Sequence, residues 1–302
     1  MIHFLQIPFT GLGKNNGFRG NAWLKARIEL FKRFTLAALL NQTKKEFVLW
    51  LCFRPEEEKN PLVIDLKKTL NRIRGLTTLF TFHGILLSDD KYPEAIARQR
   101  LLTSLRYTLP ELVGWVGDEE WVAVTCQPSD DLFASWAVEE IQRQKPEKHC
   151  AVGWMGGFLL NMATKEVAEY NPSTLPPFTT IFYPRETFLN AEKHMAYIGP
   201  FKSHEHVSDH LRFKELKGRG FMVGTHGANI STSWQIPYKG REILGNEREK
   251  ILLDFGIWLS DAMPMHKSFR LWGRICYNYL PRPLKSIVYK LYHLVRAYYV
   301  SE

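Results

Sequence analysis

A chain of 302 residues with 45% hydrophobic and 24% charged side chains can bury a large core, and its composition is that of a folded globular protein rather than a disordered one. Its four cysteines, Cys52, Cys126, Cys150 and Cys276, form no CxxC pair, which excludes a locally encoded zinc ribbon or thioredoxin-type site. The formal net charge of +9 calls for an anionic partner: nucleic acid, a membrane surface or a phosphorylated substrate.

The opening MIHFLQIPF lacks the cationic-then-apolar pattern of a leader, and 18 apolar residues never run together. A cytoplasmic chain without a membrane span is therefore expected. His3 to Phe9 reads as a strand, and the loop after it, TGLGKNNGFR at Thr10 to Arg19, is rich in Gly, Asn and cations. Such a loop can close over a nucleotide diphosphate with backbone N–H groups and Lys14 or Arg19, or it is simply a turn-rich connection. It is not a Walker motif, since GxxxxGK[ST] is absent.

Apolar spacing predicts a helix over Ala26 to Leu40, with Ile28, Phe31, Phe34 and Ala38 along one face, and a continuous apolar strand over Phe47 to Phe53. Pro61 opens a helix through Ile73, Thr77 to Phe82 is strand-like, Pro93 opens another helix through about Leu105, and Trp121 to Cys126 is again a strand. Alternation of strand and helix implies an α/β fold with a mostly parallel central sheet flanked by helices. Ligands of such sheets bind beyond the carboxyl ends of the strands.

That is where CQPSDD, Cys126 to Asp131, falls. Two adjacent carboxylates at a strand end repel unless a cation, hydrogen bonds or water offset the repulsion. A hard cation, Mn2+ or Mg2+, shared with substrate phosphates would do so. The other reading is helix capping, with Ser129 or Asp130 capping a helix from Leu132 to Gln144 and Asp131 in its first turn.

Further on, Cys150 to Tyr170 reads as two strand-like runs around Gly153, Gly156 and Gly157, as in a hairpin, and the Pro-rich loop NPSTLPPF introduces the strand TTIFYP. His194, His204, Glu205, His206, Asp209 and His210 form a titratable cluster. Without HExxH it is a poor zinc site. Glu205 and Asp209 are candidate acid–base or binding groups, or the cluster is a solvated helix start. From Lys267 on, Arg270, Arg274, Arg282, Lys285, Lys290 and Arg296 interleave with aromatics, and Leu284, Ile287, Leu291, Leu294 and Tyr298 fall on one helical stripe. Such a basic amphipathic helix packs on its own core or on an anionic membrane. No RNA- or DNA-binding signature accompanies it, so nucleic acid is not an expected partner.

Four stretches taken in order, RIELFKRFTLAALLNQTKKEFVLWLCF at Arg27 to Phe53, VTCQPSDDLFASWAVEEIQ at Val124 to Gln142, PPFTTIFYP at Pro176 to Pro184 and GTHGANIS at Gly224 to Ser231, resemble a bacterial family of rhamnosyltransferases, which belongs with the GT-A type glycosyltransferases. The resemblance covers residues 1 to about 235. It implies a GT-A-like domain over 1–240, with a nucleotide-sugar half 1–145 and an acceptor half 146–240, followed by a basic helical extension over 241–302.

It also implies transfer of a sugar, rhamnose by the family label, from a dTDP- or UDP-sugar to a glycan or lipid-linked acceptor in cell-surface polysaccharide synthesis. Mn2+ or Mg2+ is then held by Asp130, Asp131 and a late histidine, His226. Arg27, Ser129 and Asn229 become candidate substrate-binding residues. Asp131, Glu205 or Asp209 is the candidate catalytic carboxylate, because an inverting transfer needs one to take the acceptor's proton. Aligned on the family's T-R-L-D-S-D-D, the first metal-binding Asp is Pro128 here, so metal dependence is expected to be weak or absent. The alternatives are a retaining or metal-independent transferase, a non-catalytic nucleotide- or sugar-binding relative, and a basic membrane-associated module. The expected location is cytoplasmic, peripheral on the inner face of the membrane.

Overall fold

The computed structural model describes residues 1–10, 20–84, 94–194, 204–227, 229, 232–235 and 239–258. Lys14, Arg19 and the terminal basic stripe from Lys267 lie outside the described residues.

The first strand, β1 (Ile2–Pro8), is followed by α1 (Asn21–Leu30), which widens into a π turn over Phe31–Thr35 and resumes as α2 (Leu36–Leu40). Next come β2 (Val48–Cys52), α3 (Pro61–Asn71), β3 (Thr77–Thr81), α4 (Glu94–Val116) and β4 (Trp121–Cys126). All five residues of β2 are buried, as a strand covered on both faces requires. Alternate side chains sort to opposite faces. Leu5, Ile7, Leu49 and Leu51 meet Ile28 of α1 and Leu66 of α3, while Phe4, Val48, Trp50 and Val122 meet α4.

Helix α4 runs eleven residues past the predicted end at Leu105. Its buried stripe continues through Leu109, Leu112 and Val116, and Pro110 lies on the exposed side, where its ring does not interrupt that packing.

The expected helix from Leu132 is not there. Leu132–Phe133 form a short strand, β5, and α5 spans only Ala137–Arg143, so the S-D-D segment caps no helix. Leu132, Phe133 and Ala134 are fully buried and are drawn into a second sheet instead. The single hairpin expected over Cys150–Tyr170 is also different. It resolves into β6 (Cys150–Gly153), β7 (Gly157–Asn161) and β8 (Val167–Tyr170), of which only the last two pair as a hairpin. Then follow β9 (Thr180–Pro184), α6 (Arg185–Phe188), α7 (Val207–His210), β10 (Arg212–Glu215), β11 (Phe221–Thr225), β12 (Lys239–Ile243) and α8 (Gly245–Asp254).

Among the described residues the strands form two sheets, ordered β10-β6-β9-β4-β1-β2-β3 and β12-β8-β7-β11-β5. In the first, β9 runs antiparallel between β4 and β6 and the other pairings are parallel. The architecture is thus the expected α/β one, a mostly parallel sheet covered by helices. Strands from both sides of residue 145 share each sheet. Residue 240 falls inside β12, and Leu252 and Phe255 beyond it join the same core as Phe133 and Trp154. Among the described residues no helix is long and apolar enough to cross a membrane.

Candidate active site

The strand order reverses between β1 and β4: β1 leads outward to β2 and β3, and the chain then returns to place β4 on the other side of β1. Such a reversal opens a crevice at the carboxyl ends of the strands. The Gln127 N–H extends the ladder by one bond to the Gln6 carbonyl (2.9 Å). Pro128 then has no N–H to give, and the chain turns. The Asp131 N–H closes on the Pro128 carbonyl at 3.3 Å, and Gln127 Nε2 donates to the Asp131 carbonyl at 3.0 Å. From this turn the chain enters β5, which pairs antiparallel with β11. Ser129, Asp130 and Asp131 therefore form the bridge from one sheet to the other.

Close approach of β11 to that bridge depends on Gly224. A Cβ there would stand 2.5 Å from the Asp130 carbonyl oxygen and closer still to Met162 Cε, so the position has room only for glycine. With the backbones this near, the Gly224 N–H donates to Asp131 Oδ1 at 3.0 Å. The turn after β11 brings in His226 and Asn229. Asn229 Oδ1 accepts from the His226 N–H (2.9 Å) and its Nδ2 donates to the Gly224 carbonyl (2.6 Å).

Four of the predicted residues meet at one oxygen. Asp130 Oδ2 lies 2.6 Å from Arg27 Nη1, 3.0 Å from His226 Nε2 and 3.4 Å from Asn229 Nδ2. The Arg27 and Asp130 side chains are 11% and 8% exposed, so this ion pair is screened little by solvent. The guanidinium also sits 6.0 Å from the centre of the Trp23 ring, one turn back on α1. Burial alone would push the Asp130 carboxyl up. The Arg27 charge and the His226 hydrogen bond outweigh it and hold the group at about 2. Asp131 goes the other way, raised well above the usual carboxylate range by burial first and by the Asp130 charge second. The two adjacent acids are thus pushed in opposite directions, and the one held down is ion-paired to Arg27.

Among the described residues, three buried polar atoms around this turn have no hydrogen-bond partner: Arg27 Nε, Gln127 Oε1 and Ser129 Oγ. Buried polar groups are almost always satisfied, and each exception marks a strain, a water or a ligand. Their concentration around one turn at the end of β4 is the strongest local sign of a binding site. A separate cavity of about 380 Å3, lined by Val63, Ile64, Lys67, Lys68 and Phe82 among others, lies along α3 and shares none of these residues.

The residues expected to hold Mn2+ or Mg2+ do not fit a divalent cation. The Pro128 side chain offers no ligand atom, Asp131 Oδ1 is turned to the β11 backbone, and Asp130 Oδ2 already accepts from a guanidinium. Among the described residues no three His, Cys, Asp or Glu side chains form a group that could hold a metal ion. A cation brought beside Arg27 would also meet like charge, worth about 4 kcal/mol per unit charge at 4 Å in partly buried surroundings.

The other candidates stand elsewhere. Glu205 lies in a short 3-10 turn, His204–His206, and accepts from Thr174 (3.4 Å), while Asp209 pairs with His206 at 2.8 Å. Both are exposed. The segment carrying them leads into β10, whose first residue, Arg212, is level through β6 and β9 with Ala123 in the middle of β4. His194 of the same cluster is instead a core residue stacked on Tyr183. Sequence reading missed Gln127 and the role of Gly224. The signal for Gly224 was a glycine inside an otherwise apolar strand, which marks a close backbone approach.

Comparison with known proteins yields distant likenesses of fold. No family model and no curated protein matches the chain. Similar solved structures include the inositol-1-phosphate CTP transferase from T. maritima (13% identity, TM-score 0.34, covering 74% of this chain and 86% of that one). HddC from Yersinia pseudotuberculosis is 12% identical with TM-score 0.34, over 74% of this chain and 89% of that one. Mouse xyloside xylosyltransferase 1 in its apo form is 14% identical with TM-score 0.25, over 54% of each chain.

Proposed function

We propose that this chain is a glycosyltransferase that uses a nucleoside-diphosphate sugar, with the donor seated at the carboxyl ends of β1 and β4. The observation that carries the reading is the convergence of Arg27, Asp130, His226 and Asn229 at the strand-order reversal, with Arg27 Nε, Gln127 Oε1 and Ser129 Oγ buried and unpartnered around it. A leaving nucleoside diphosphate gains charge as the sugar–phosphate bond breaks, and a preorganised guanidinium in a buried crevice is suited to stabilise it. The acceptor hydroxyl then attacks the anomeric carbon, and its proton passes to a base.

The sequence resemblance to rhamnosyltransferases supports a hexose donor, with dTDP-rhamnose the first to try and UDP-sugars the next. A glycan or lipid-linked acceptor of cell-surface polysaccharide synthesis fits the same resemblance. The basic aromatic stripe from Lys267 would hold the enzyme against an anionic membrane. Cosedimentation of the full chain with phosphatidylglycerol vesicles, set against phosphatidylcholine vesicles, tests that part.

The reaction itself is tested by incubating the protein with a panel of nucleoside-diphosphate sugars and measuring release of nucleoside diphosphate. Slow release from one nucleotide class, lost in Arg27→Gln, supports the reading. No release from any donor together with no nucleotide binding would end it.

A further inference from the structure

We infer that Arg27 is the built-in cation of this site: a diphosphate binds on its guanidinium without a divalent metal, and Asp130 is the counter-ion that holds Arg27 in place until the anion arrives. The inference rests on the glycosyltransferase reading above and names how that site meets its donor.

Three independent observations lead here. The ligand set for a metal is broken, by Pro128 in the sequence and by the turning of Asp131 to Gly224 in the fold. A guanidinium already stands 2.6 Å from the carboxylate that would otherwise bind the metal. That guanidinium is only partly used, since Nη1 is paired while Nε is buried with no partner. Arginine presents its donors as a rigid planar fork that matches two oxygens of a phosphate, so a group with a spare Nε is shaped for a second anionic ligand. Trp23 lies 6.0 Å from the guanidinium and limits where the fork can turn.

Asp130 in this arrangement is not a ligand of the substrate. It offsets a charge that would be costly to bury alone, and it competes with the incoming diphosphate for the same guanidinium. Removing the carboxylate while keeping the side chain's shape therefore frees Arg27 for an anion.

The test uses the full chain in thermal-shift and isothermal titration experiments. The probes are inorganic pyrophosphate, UDP, dTDP and GDP, each in EDTA and in excess Mn2+ or Mg2+. At least one nucleoside diphosphate is expected to bind in EDTA, with its Kd changed less than about threefold by metal. Asp130→Asn should give a larger thermal shift on adding that nucleotide in EDTA than the native protein does, because the anion then supplies the missing counter-charge. Arg27→Gln should weaken binding by about ten- to a hundredfold, and Arg27→Lys, a point charge without the fork, should restore only part of it.

Binding that appears only with Mn2+ or Mg2+ would overturn this inference and leave the transferase reading standing. So would loss of binding in a folded Asp130→Asn protein. Failure of every nucleotide with and without metal would overturn both. Should Arg27→Gln fail to fold, Asp130→Asn still decides, since it keeps Arg27.

Discussion

Two regions of this molecule are dense in titratable side chains, and they are built in opposite ways. At the end of β4, Arg27, Asp130, His226 and Asn229 come from three separate parts of the chain and meet on one buried oxygen. Around α7, His206 and Asp209 are three residues apart, exposed, and satisfied by each other. A local run of charged residues at the surface is cheap and needs no function, whereas charges gathered from distant segments into a buried crevice persist only if paired. Convergence and burial, more than density along the chain, mark the site.

The largest effect that sharpens this contrast is expected at Arg27. Arg27→Met leaves the Asp130 carboxylate buried without its cation and should cost about 3 kcal/mol of unfolding free energy, read by urea denaturation. A cost near zero would mean that water reaches the carboxylate and the crevice is open.

Next comes acid. His3 and His194 are core residues whose rings burial pushes down to about 3 and about 4, respectively, from 6.5. A base with a depressed folded pKa adds stability that is complete above its unfolded value and lost as pH falls below it. Stability should therefore drop between about pH 6.5 and about pH 4, and His194→Phe, which keeps a ring against Tyr183, should flatten that drop by roughly 2 kcal/mol. Denaturation midpoints across that window check it. An unchanged pH slope in the variant would contradict the buried neutral imidazole.

Gly224→Ala should follow, at about 1 to 3 kcal/mol by overpacking against the Asp130 carbonyl and Met162, together with weakened nucleotide binding as β11 is pushed from the S-D-D turn. The smallest effect is expected at the other region. Asp209→Asn and Glu205→Gln should each change stability by less than about 0.5 kcal/mol and leave nucleotide affinity as it was. Loss of binding in either would erase the contrast between the two regions.

Much of the fold was legible because its central strands are largely apolar and its helices striped: Trp121 to Cys126 is β4 to the residue, and Val48–Cys52 lies within the predicted run. What was not legible was the segment after the S-D-D turn. Its helix-like spacing gave way to pairing of Leu132 and Phe133 with β11, some ninety residues away, and no local pattern reports a partner so distant. The same long-range pairing decides the roles of the two acids. Side by side in sequence they look alike. The placement of Arg27 against Asp130 holds that carboxyl down, while burial and the Asp130 charge push the Asp131 carboxyl up despite the Gly224 N–H it accepts. Arg27 itself read as either a solvated helix arginine or a phosphate binder, and its 11% exposure settles that it is not solvated.

The most direct test of the account sets the two regions side by side: isothermal titration of one nucleoside diphosphate, in EDTA, into Arg27→Lys and into a Glu205→Gln/Asp209→Asn double variant. The account predicts affinity lowered about three- to tenfold in the first, short of the loss in Arg27→Gln, and native in the second. Native affinity in Arg27→Lys with loss in the double variant would place the nucleotide at the α7 surface and contradict it.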